Sequence, residues 1–592
     1  MKNPSIFNYI KSEEAKFQTE EIQVGDNWHW NFRNHVQLLF HLTNGIFYTG
    51  DNKWLRAFKN IIEPMLNLSF WTEDIEVKDV VFFIESETGR ALSFLIKKYH
   101  DEVYSREHNL DTLFDEITET DLTYGGVLVK KAKGTPEVIP FNSIAFADQT
   151  DLLGAPLAFK LSFAPDKLRG MSKLGWGEES NGATTTIEDL ILLAEYDKDP
   201  QGMINGKKNQ ITGKNIDVYI VMGNLPEAYL KDNDEMEKVY EQVQVVAFYV
   251  DKKDKKQGVT LYRKKGKEGN LKFHTSKKVH GRALGRGDGE ALLHDQIWTN
   301  FLTIHKMAML EGAAKNVIWT DDPNYANRNK IYDLENNEVT TLDDGKRIGQ
   351  VPTVQPNSIA LYERSINELY QHAQLSSAAF DSIMGKEESA GTTFRGQERL
   401  VAQGRGLHDR RRGQRAKFIE EIYRDWIIPD MVSEILNGKE FLATLSSDEL
   451  SWVSEQLAEN YVNKQQLEDI FNLKIPADKE LLKQAYLEKF SKKGNKHLVK
   501  ILKDEFRGIE VRMGINIAGK QKNLTGLSDK ILSVFQFALA NPIPPHLQKQ
   551  FNDILEYGGL SQADFNLLKT MPQPQQQPME ASKLALNAPV AA

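Results

Sequence analysis

The sequence predicts a mainly helical α+β fold, and the changing spacing of its apolar residues is the basis for that prediction. Apolar residues recur at helical spacing through 27–68, 91–104 and 110–123, and they alternate at a period of two through much of 126–274. From residue 290 onward the helical period returns and continues to about residue 568. We therefore expect an α+β region followed by a long series of helices.

Composition limits the class of protein. The chain has 592 residues, enough for several hydrophobic cores, and its 40% apolar and 27% charged residues are typical of a folded, soluble protein. The sequence contains no run of about 18 uncharged apolar residues, so it predicts no membrane span. The N-terminal residues, MKNPSIFNYIKSEEAKF, lack the apolar core of a signal peptide. We therefore expect the protein to remain in the cytoplasm of the cell that makes it.

Residue types exclude several kinds of chemistry. The absence of cysteine excludes disulfides, thiolate metal sites and cysteine nucleophiles. The 13 histidines form no HExxH motif, and His35 and His41 are interpreted as ordinary surface or core residues. The segment at Gly202, GMINGKK, has the wrong spacing for a phosphate-binding loop and no hydroxyl after its lysines. We therefore expect neither a metal nor a nucleotide cofactor.

The net charge of −9 restricts any role in binding DNA. A protein that held DNA tightly over its whole surface would be basic, because neutralising phosphates supplies most of that affinity. DNA is therefore either no partner, or a partner touched only locally and weakly.

The first 289 residues predict an arm, an α+β region and a hinge. Residues 1–26 are polar and predict a loosely held arm. The aromatic residues of 27–68 are interpreted as core rather than as a base-stacking surface, because they are not interleaved with Arg or Lys. A glycine-rich hinge, GRALGRGDG, is predicted at Gly281–Gly289. The other predicted elements are strands at Asp74–Glu85, Gly126–Lys131, Glu137–Phe146, Pro156–Phe163, Asn215–Val221, Gln242–Val250, Val259–Arg263 and Leu271–His274, and a helix at Ile187–Tyr196.

Two long helices are predicted next. Glu290–Ala314 would form a rod of roughly 37 Å with apolar residues on most of its circumference. A compact, turn-rich segment, 315–357, separates it from a second helix, Ser358–Met384. Such a pair makes a stalk with a small domain at its far end. One partner helix cannot cover all the apolar surface of the first, so we expect copies of the stalk to pack around an axis as a ring.

A third helical stretch, Phe394–Leu436, carries a basic stripe, and Pro429 predicts a kink in it. At about 100° per residue the stripe lies opposite an apolar side, although an ordinary solvated face would give the same pattern. Arg411 and Arg415 fall on the apolar side and are predicted to form salt bridges with a neighbouring subunit. The stripe consists of Arg395, Arg399, Arg410, Lys417 and Arg424, and the apolar side of Leu400, Leu407, Phe418, Ile419 and Ile422.

Four segments resemble the portal proteins of tailed bacteriophages. One segment, ESAGTTFRGQERLVAQGRG, resembles the family's tunnel loop and the helix after it. A second segment, GRGDGEALLHDQIWTNF, resembles the first stem helix. A third segment, FDEITETDLTYGGVLVKK followed by EVIPFNSIAFADQ, resembles the family's wing region. A late segment of some podovirus and crAss-like portals is similar to GINIAGKQKNLTGLSDKILSVFQFALANP. The order of the segments, rather than any one of them, carries the resemblance.

The resemblance implies a portal-type ring subunit with wing, stem, clip and crown regions, usually in twelve copies and without enzymatic activity. The implied regions are an N-terminal arm at 1–26, the wing at 27–287, stem helices at 288–314 and 358–384, the clip at 315–357, the tunnel loop at 385–393, a tunnel or wing helix at 394–440, a wing return and helical crown at 441–571, and a disordered tail at 572–592.

The resemblance also implies partners and site residues. The partners would be double-stranded DNA, the major capsid protein, the large terminase subunit and a head–tail adaptor, at the portal vertex of a virion assembled in the host cytoplasm. The predicted DNA-facing residues are Lys386, Thr392, Thr393, Arg395, Arg399 and Arg410; the clip residues that dock partners are Arg328, Lys330, Lys346 and Arg347; and the subunit-interface residues are Trp298, Phe301, Arg411 and Arg415.

Two other functions compete with a portal. A nucleic-acid enzyme could use Glu387 with Glu388, or Asp343 with Asp344, but adjacent side chains point in different directions and both pairs adjoin predicted glycine loops. A different virion protein, such as a minor capsid or tail-adaptor protein, shares the same composition and compartment. The size of the assembly would separate that alternative from a portal ring.

Overall fold

A computed structural model describes sixteen segments of the chain. They are residues 5–26, 28–46, 58–83, 90–132, 135–195, 215–231, 237–250, 256–266, 270–313, 317–321, 345–351, 356–378, 394–437, 447–472, 478–493 and 512–515. The chain divides into a large unit, 1–78 with 82–513, and a small unit, 79–81 with 514–592. In the described part, no helix is both long and apolar enough to cross a lipid bilayer.

The described residues form fourteen helices and fourteen strands of two or more residues, besides short 3₁₀ and π-helical turns. The helices are α1 Ile6–Thr19, α2 Phe32–Thr43, α3 Ile62–Glu73, α4 Arg90–Tyr99 (continued by π-helical and α-helical turns to Glu107), α5 Leu110–Tyr124, α6 Pro165–Gly170, α7 Ile187–Glu195, α8 Ala228–Lys231, α9 Asp288–Ala313, α10 Pro356–Ser377, α11 Phe394–Ile422, α12 Ile428–Asn437, α13 Ser447–Phe471 and α14 Lys479–Lys493. The strands are β1 Ile22–Gln23, β2 His29–Trp30, β3 Val80–Phe83, β4 Val127–Lys130, β5 Glu137–Val138, β6 Ile144–Phe146, β7 Leu157–Phe163, β8 Ile216–Pro226, β9 Val239–Val250, β10 Lys256–Lys265, β11 Leu271–His274, β12 Val317–Thr320, β13 Ile348–Val351 and β14 Arg512–Ile515.

The main core of the large unit lies on a five-stranded antiparallel sheet. The strand order is β10-β9-β8-β7-β6, so each strand pairs with its neighbour in sequence. Two smaller sheets have the strand orders β11-β4-β5 and β1-β2, and β14 pairs with β3. The mainly helical α+β fold is thus confirmed in the described residues, including the strand prediction at 271–274, which matches β11.

Helix α1 corrects the prediction of a loosely held arm. Ile10 and Phe17 of α1 are both buried in the core of the five-stranded sheet. The hydroxyl of Tyr219, on β8, donates to the carboxylate of Glu14 at 3.0 Å. Phe7 and Tyr9 of the same helix also pack their rings against Phe248 and Phe146, so α1 is held against the sheet by several apolar contacts.

The predicted glycine hinge is a site of tight backbone packing. Helix α5 ends at Gly125, which has a φ of +76°, and the chain of 285–289 runs directly against this end. A Cβ at Gly287 would lie 2.6 Å from the Gly125 nitrogen and 2.7 Å from the Leu122 oxygen. A Cβ at Gly289 would lie 2.5 Å from the Thr123 oxygen. These glycines are needed because backbone meets backbone, so the predicted glycine-rich hinge is packed closely against the end of α5.

Helices α9 and α10 form an antiparallel hairpin. Asp295 near the start of α9 contacts His372 near the end of α10, whereas Lys306 near the end of α9 contacts Glu363 near the start of α10. Strands β12 and β13 pair between the two helices, with Trp319 opposite Gly349. The predicted antiparallel pair of helices is therefore present, although α10 ends at Ser377 rather than Met384. Most of the predicted tip (322–344 and 352–355) and residues 379–393 lie outside the described residues.

The third helical stretch contains an irregularity beside Pro429. Helix α11 passes through a π-helical turn, Tyr423–Ile427, into α12. Proline lacks a backbone N–H and its ring clashes with the carbonyl four residues earlier, so a widened turn here accommodates it. The chain continues as helix, and α13 extends over 25 residues.

We predict that Gly287→Ala destabilises the protein by about 1–3 kcal/mol, since the added methyl meets backbone atoms that cannot rotate away. Gly406→Ala is the matched control, because a Cβ there meets nothing within 4 Å. That change should be neutral or stabilising by up to about 1 kcal/mol, since Gly406 lies within a helix. Denaturant unfolding midpoints measure both, and equal effects would contradict the close packing.

Candidate functional site

A buried ionic cluster joins the helices at the base of the α9–α10 hairpin. Glu73, the last residue of α3, is fully buried and accepts from Arg415 of α11. His408 Nδ1 lies 2.6 Å from Glu73 Oε1, and Arg411 Nη1 donates to the same oxygen at 3.4 Å. The three α11 residues are spaced by three and four, so they share one helix face. One carboxylate therefore fixes the position of α11 relative to α3.

Two further carboxylates extend the cluster to α5 and α9. Arg411 contacts both oxygens of Asp288, the first residue of α9, at 2.7 Å each. Ser69 donates to the same carboxylate at 3.0 Å. Asp121 of α5 accepts from Ser276 and lies 3.6 Å from Arg415 Nε. Four helices thus meet around three acids and two guanidinium groups.

Burial controls the protonation of this cluster. Loss of solvation raises the pKa of Asp121 to about 7, against the opposing effects of the Ser276 hydrogen bond and the Arg411 charge. Burial lowers the pKa of Arg415 to about 9, which still leaves the guanidinium protonated at neutral pH. Burial also lowers the pKa of His408. Burial therefore disfavours the charged forms of Asp121, His408 and Arg415.

A cavity of about 350 Å³ opens beside the cluster. Asp121, Asp288 and Arg411 form part of its wall, and the loop before α9 supplies much of the remainder. The other lining residues are Leu122, Ser276, Lys277, Arg286, Gly287, Ser376, Leu407, Arg410 and Gln414.

Helix α9 buries polar side chains against the body of the large unit. The buried residues of its inner face are Asp288, Gly289, Leu292, Asp295, Gln296, Thr299, Asn300 and Thr303, so Leu292 is the one large apolar side chain among them. Gln296 Oε1 accepts from the backbone N–H groups of Ile61 and Ile62 at 2.8 and 3.2 Å. It thereby caps α3, whose own N-cap residue makes no side-chain bond.

The outer face of α9 is aromatic. Trp298 and Phe301 are 50% and 48% exposed, and their ring centroids are 6.2 Å apart. An open groove between the two helices is lined by His294, Trp298, Leu302, Ser365, Glu368 and Leu369. None of residues 304–313 of α9 is buried, although Met307 and Leu310 lie there. A surface helix usually buries its apolar face, whereas α9 buries its polar face and exposes apolar side chains.

The structure locates some of the predicted DNA-facing residues. Arg410 is exposed on α11, as is Lys417 farther along the predicted stripe, while Phe418 and Ile419 are buried. The two-sided pattern is thus confirmed from Arg410 onward, whereas Leu407, which was predicted on the apolar side, is 42% exposed. Arg395 and Arg399 lie on the same helix. The predicted residues outside the described part are Lys386, Thr392 and Thr393.

The predicted clip and interface residues have mixed outcomes. Lys346 and Arg347 are exposed just before β13, while Arg328 and Lys330 lie outside the described residues. The interface prediction is wrong for Arg415, because it is fully buried and its partners belong to its own chain. Arg411 likewise pairs within the chain.

The sequence pattern missed the acidic side of the cluster. A signal was present, because Arg411 and Arg415 lie on the apolar side of their helix and a buried cation requires a carboxylate. Glu73 lies 342 residues from Arg415, and nothing local identifies it as the partner. His408 had the same helical spacing as the arginines but was not singled out.

Comparisons with known proteins give no family. No family model matches the chain, and no curated protein matches it. A chain from the virion of a native gene transfer agent particle is 9% identical, with a TM-score of 0.32, over 94% of this chain and 100% of that chain. A chain from the neck of an empty gene transfer agent particle computed with C6 symmetry is 9% identical, with a TM-score of 0.29, over 79% of this chain and 100% of that chain. TM-scores this low do not establish a shared fold.

We predict that Arg415→Met lowers the free energy of unfolding by about 3–5 kcal/mol, because Glu73 keeps its buried charge and loses a partner. The double variant Glu73→Met/Arg415→Met should recover part of that loss. Arg424→Met, which removes an exposed cation of the same helical stretch, should cost less than about 0.5 kcal/mol. Denaturant unfolding measures all three, and a loss at Arg415 no larger than that at Arg424 would exclude the buried pair as a stabilising contact.

Proposed function

We propose that the protein is a portal: a ring-forming virion protein whose central channel carries double-stranded DNA. The single observation that carries the proposal is the outward aromatic face of α9, with Trp298 and Phe301 half exposed beside an open groove. Large exposed apolar surfaces usually mark a contact with another macromolecule. Here the partner is a second copy of the same hairpin.

The groove and the aromatic face suit a repeated contact between copies. They adjoin on one hairpin, because Trp298 belongs to both, and this joint surface would contact a different surface of the next copy, head to tail. Such a head-to-tail contact closes into a ring when the rotation between copies divides a full turn. The lack of buried residues at 304–313 indicates that the far part of the hairpin also needs cover.

The charge distribution suits a channel through which DNA slides. The chain has a net charge of −9, so the whole surface cannot hold DNA tightly. Exposed cations at Arg410 and Lys417 follow one side of α11. With Arg395 and Arg399 of the same helix and Lys386, Thr392 and Thr393 before it, they would touch phosphates without reading bases. A few such contacts centre a duplex without stopping it.

The remaining parts of the proposal follow from the resemblance to portal proteins. The ring would contain twelve copies at one capsid vertex, bound by the major capsid protein, and would have no enzymatic activity. The tip between α9 and α10 would dock the large terminase subunit during packaging and a head–tail adaptor afterwards, through Arg328, Lys330, Lys346 and Arg347. The ring would thus serve packaging, retention and ejection of the genome.

Mass photometry of the purified chain tests the ring. We expect a particle of roughly 0.8 MDa, the mass of about twelve 67.5 kDa chains. Trp298→Arg/Phe301→Arg should abolish that particle, because two charges would have to be buried in each contact. Leu481→Arg is the control, since Leu481 is exposed on α14, outside the hairpin.

A monomer or small oligomer of the unchanged protein would contradict the portal and favour another virion protein. A ring that survives the double change would show that another surface closes it. Circular dichroism of the variants separates loss of assembly from loss of folding.

A further inference from the structure

Three unpaired cations line the cavity beside the ionic cluster. Lys277, Arg286 and Arg410 are exposed, and none of the three makes an ion pair or side-chain hydrogen bond with another described residue. The fourth cation of the lining, Arg411, is held by Asp288. The cavity therefore has a surplus of positive charge that the described residues do not neutralise.

The backbone keeps two of these cations together. Arg286 N donates to Lys277 O at 2.9 Å, so the two residues are fixed across a tight loop. The same loop is anchored by the packing of 285–289 against the end of α5. Arg410 belongs to a different element, α11, and reaches the same cavity. Like charges gathered by rigid backbone cost free energy unless an anion joins them.

The wall of the cavity supplies donors and one unsatisfied acid. Asp121 is 3% exposed and lines the cavity, and its Oδ1 has no hydrogen-bond partner among the described residues. Burial raises the pKa of this carboxyl to about 7, so a protonated fraction that can donate from Oδ1 exists at neutral pH. Ser376 and Gln414 add further donors, and the N-terminus of the 26-residue helix α9 begins at the wall.

We propose that this cavity binds a phosphate group, through Lys277, Arg286 and Arg410. A tetrahedral oxyanion offers several acceptor oxygens in different directions, which suits cations that approach from a loop and from α11. The backbone of DNA and free phosphate both carry this group. Arg410 also belongs to the basic side of α11, and the DNA source alone rests on the proposed portal function.

Isothermal titration of the full-length protein with inorganic phosphate tests the site itself. We expect saturable binding, weakened at least about tenfold in Lys277→Gln/Arg286→Gln/Arg410→Gln, because three charge-assisted contacts are lost. The control is Arg106→Gln/Lys173→Gln/Lys464→Gln, which removes the same charge from exposed positions outside the cavity lining. Equal weakening in both variants, or no saturable binding by the unchanged protein, would overturn the proposal.

A second arm uses a short DNA duplex and fluorescence anisotropy on the same proteins. Weaker duplex binding by the cavity variant alone assigns the site to DNA phosphates, whereas duplex binding that matches the control assigns it to free phosphate.

Mass photometry of the cavity variant decides a third case. If rings are lost while phosphate binding is unchanged, the cations contact acidic groups of another copy and the phosphate site is wrong. Because ring formation by the unchanged protein is measured separately, failure of this site and failure of the portal proposal are distinguishable.

Discussion

The described residues of the chain bury only one face of helix α9, and the hairpin geometry follows from that constraint. Its inner face carries acids, amides and threonines that must be hydrogen-bonded once water is removed. Gln296 and Asp288 meet this requirement by binding the two ends of α3. The polar inner face therefore fixes the orientation of α9, and the same rotation leaves Trp298 and Phe301 facing outward.

The ionic cluster at the base connects the hairpin to helices α3 and α11. Asp288 begins α9, and Arg411 ties it to α11, while Glu73 ties α11 to α3. Each guanidinium has more than one carboxylate within reach, and these contacts act against the desolvation of the buried charges. The glycines at 285–289 bring α9 close enough to α5 for the cluster to form.

Local patterns in the sequence predicted much of the fold. Leu271–His274 was predicted as a strand with the bounds observed, because alternating apolar residues between turns define short strands well. The prediction of a loosely held arm at 1–26 was wrong, because the two buried residues of α1 give a weak periodic signal. The pairing of Arg415 with Glu73 could not be predicted, because register between elements hundreds of residues apart depends on the assembled fold. The same pattern did place Arg410 and Lys417 on the exposed side of α11.

In the proposed ring a neighbouring copy covers the outer face of α9, and thiol labelling measures that cover. The chain has no cysteine, so Phe301→Cys introduces a single reactive site, and Lys173→Cys provides an exposed control outside the hairpin. The account predicts that maleimide labels position 301 much more slowly in the assembled fraction than in the monomeric fraction, while position 173 reacts equally in both. Equal rates at position 301 in the two fractions, or the absence of any assembled fraction, would contradict it.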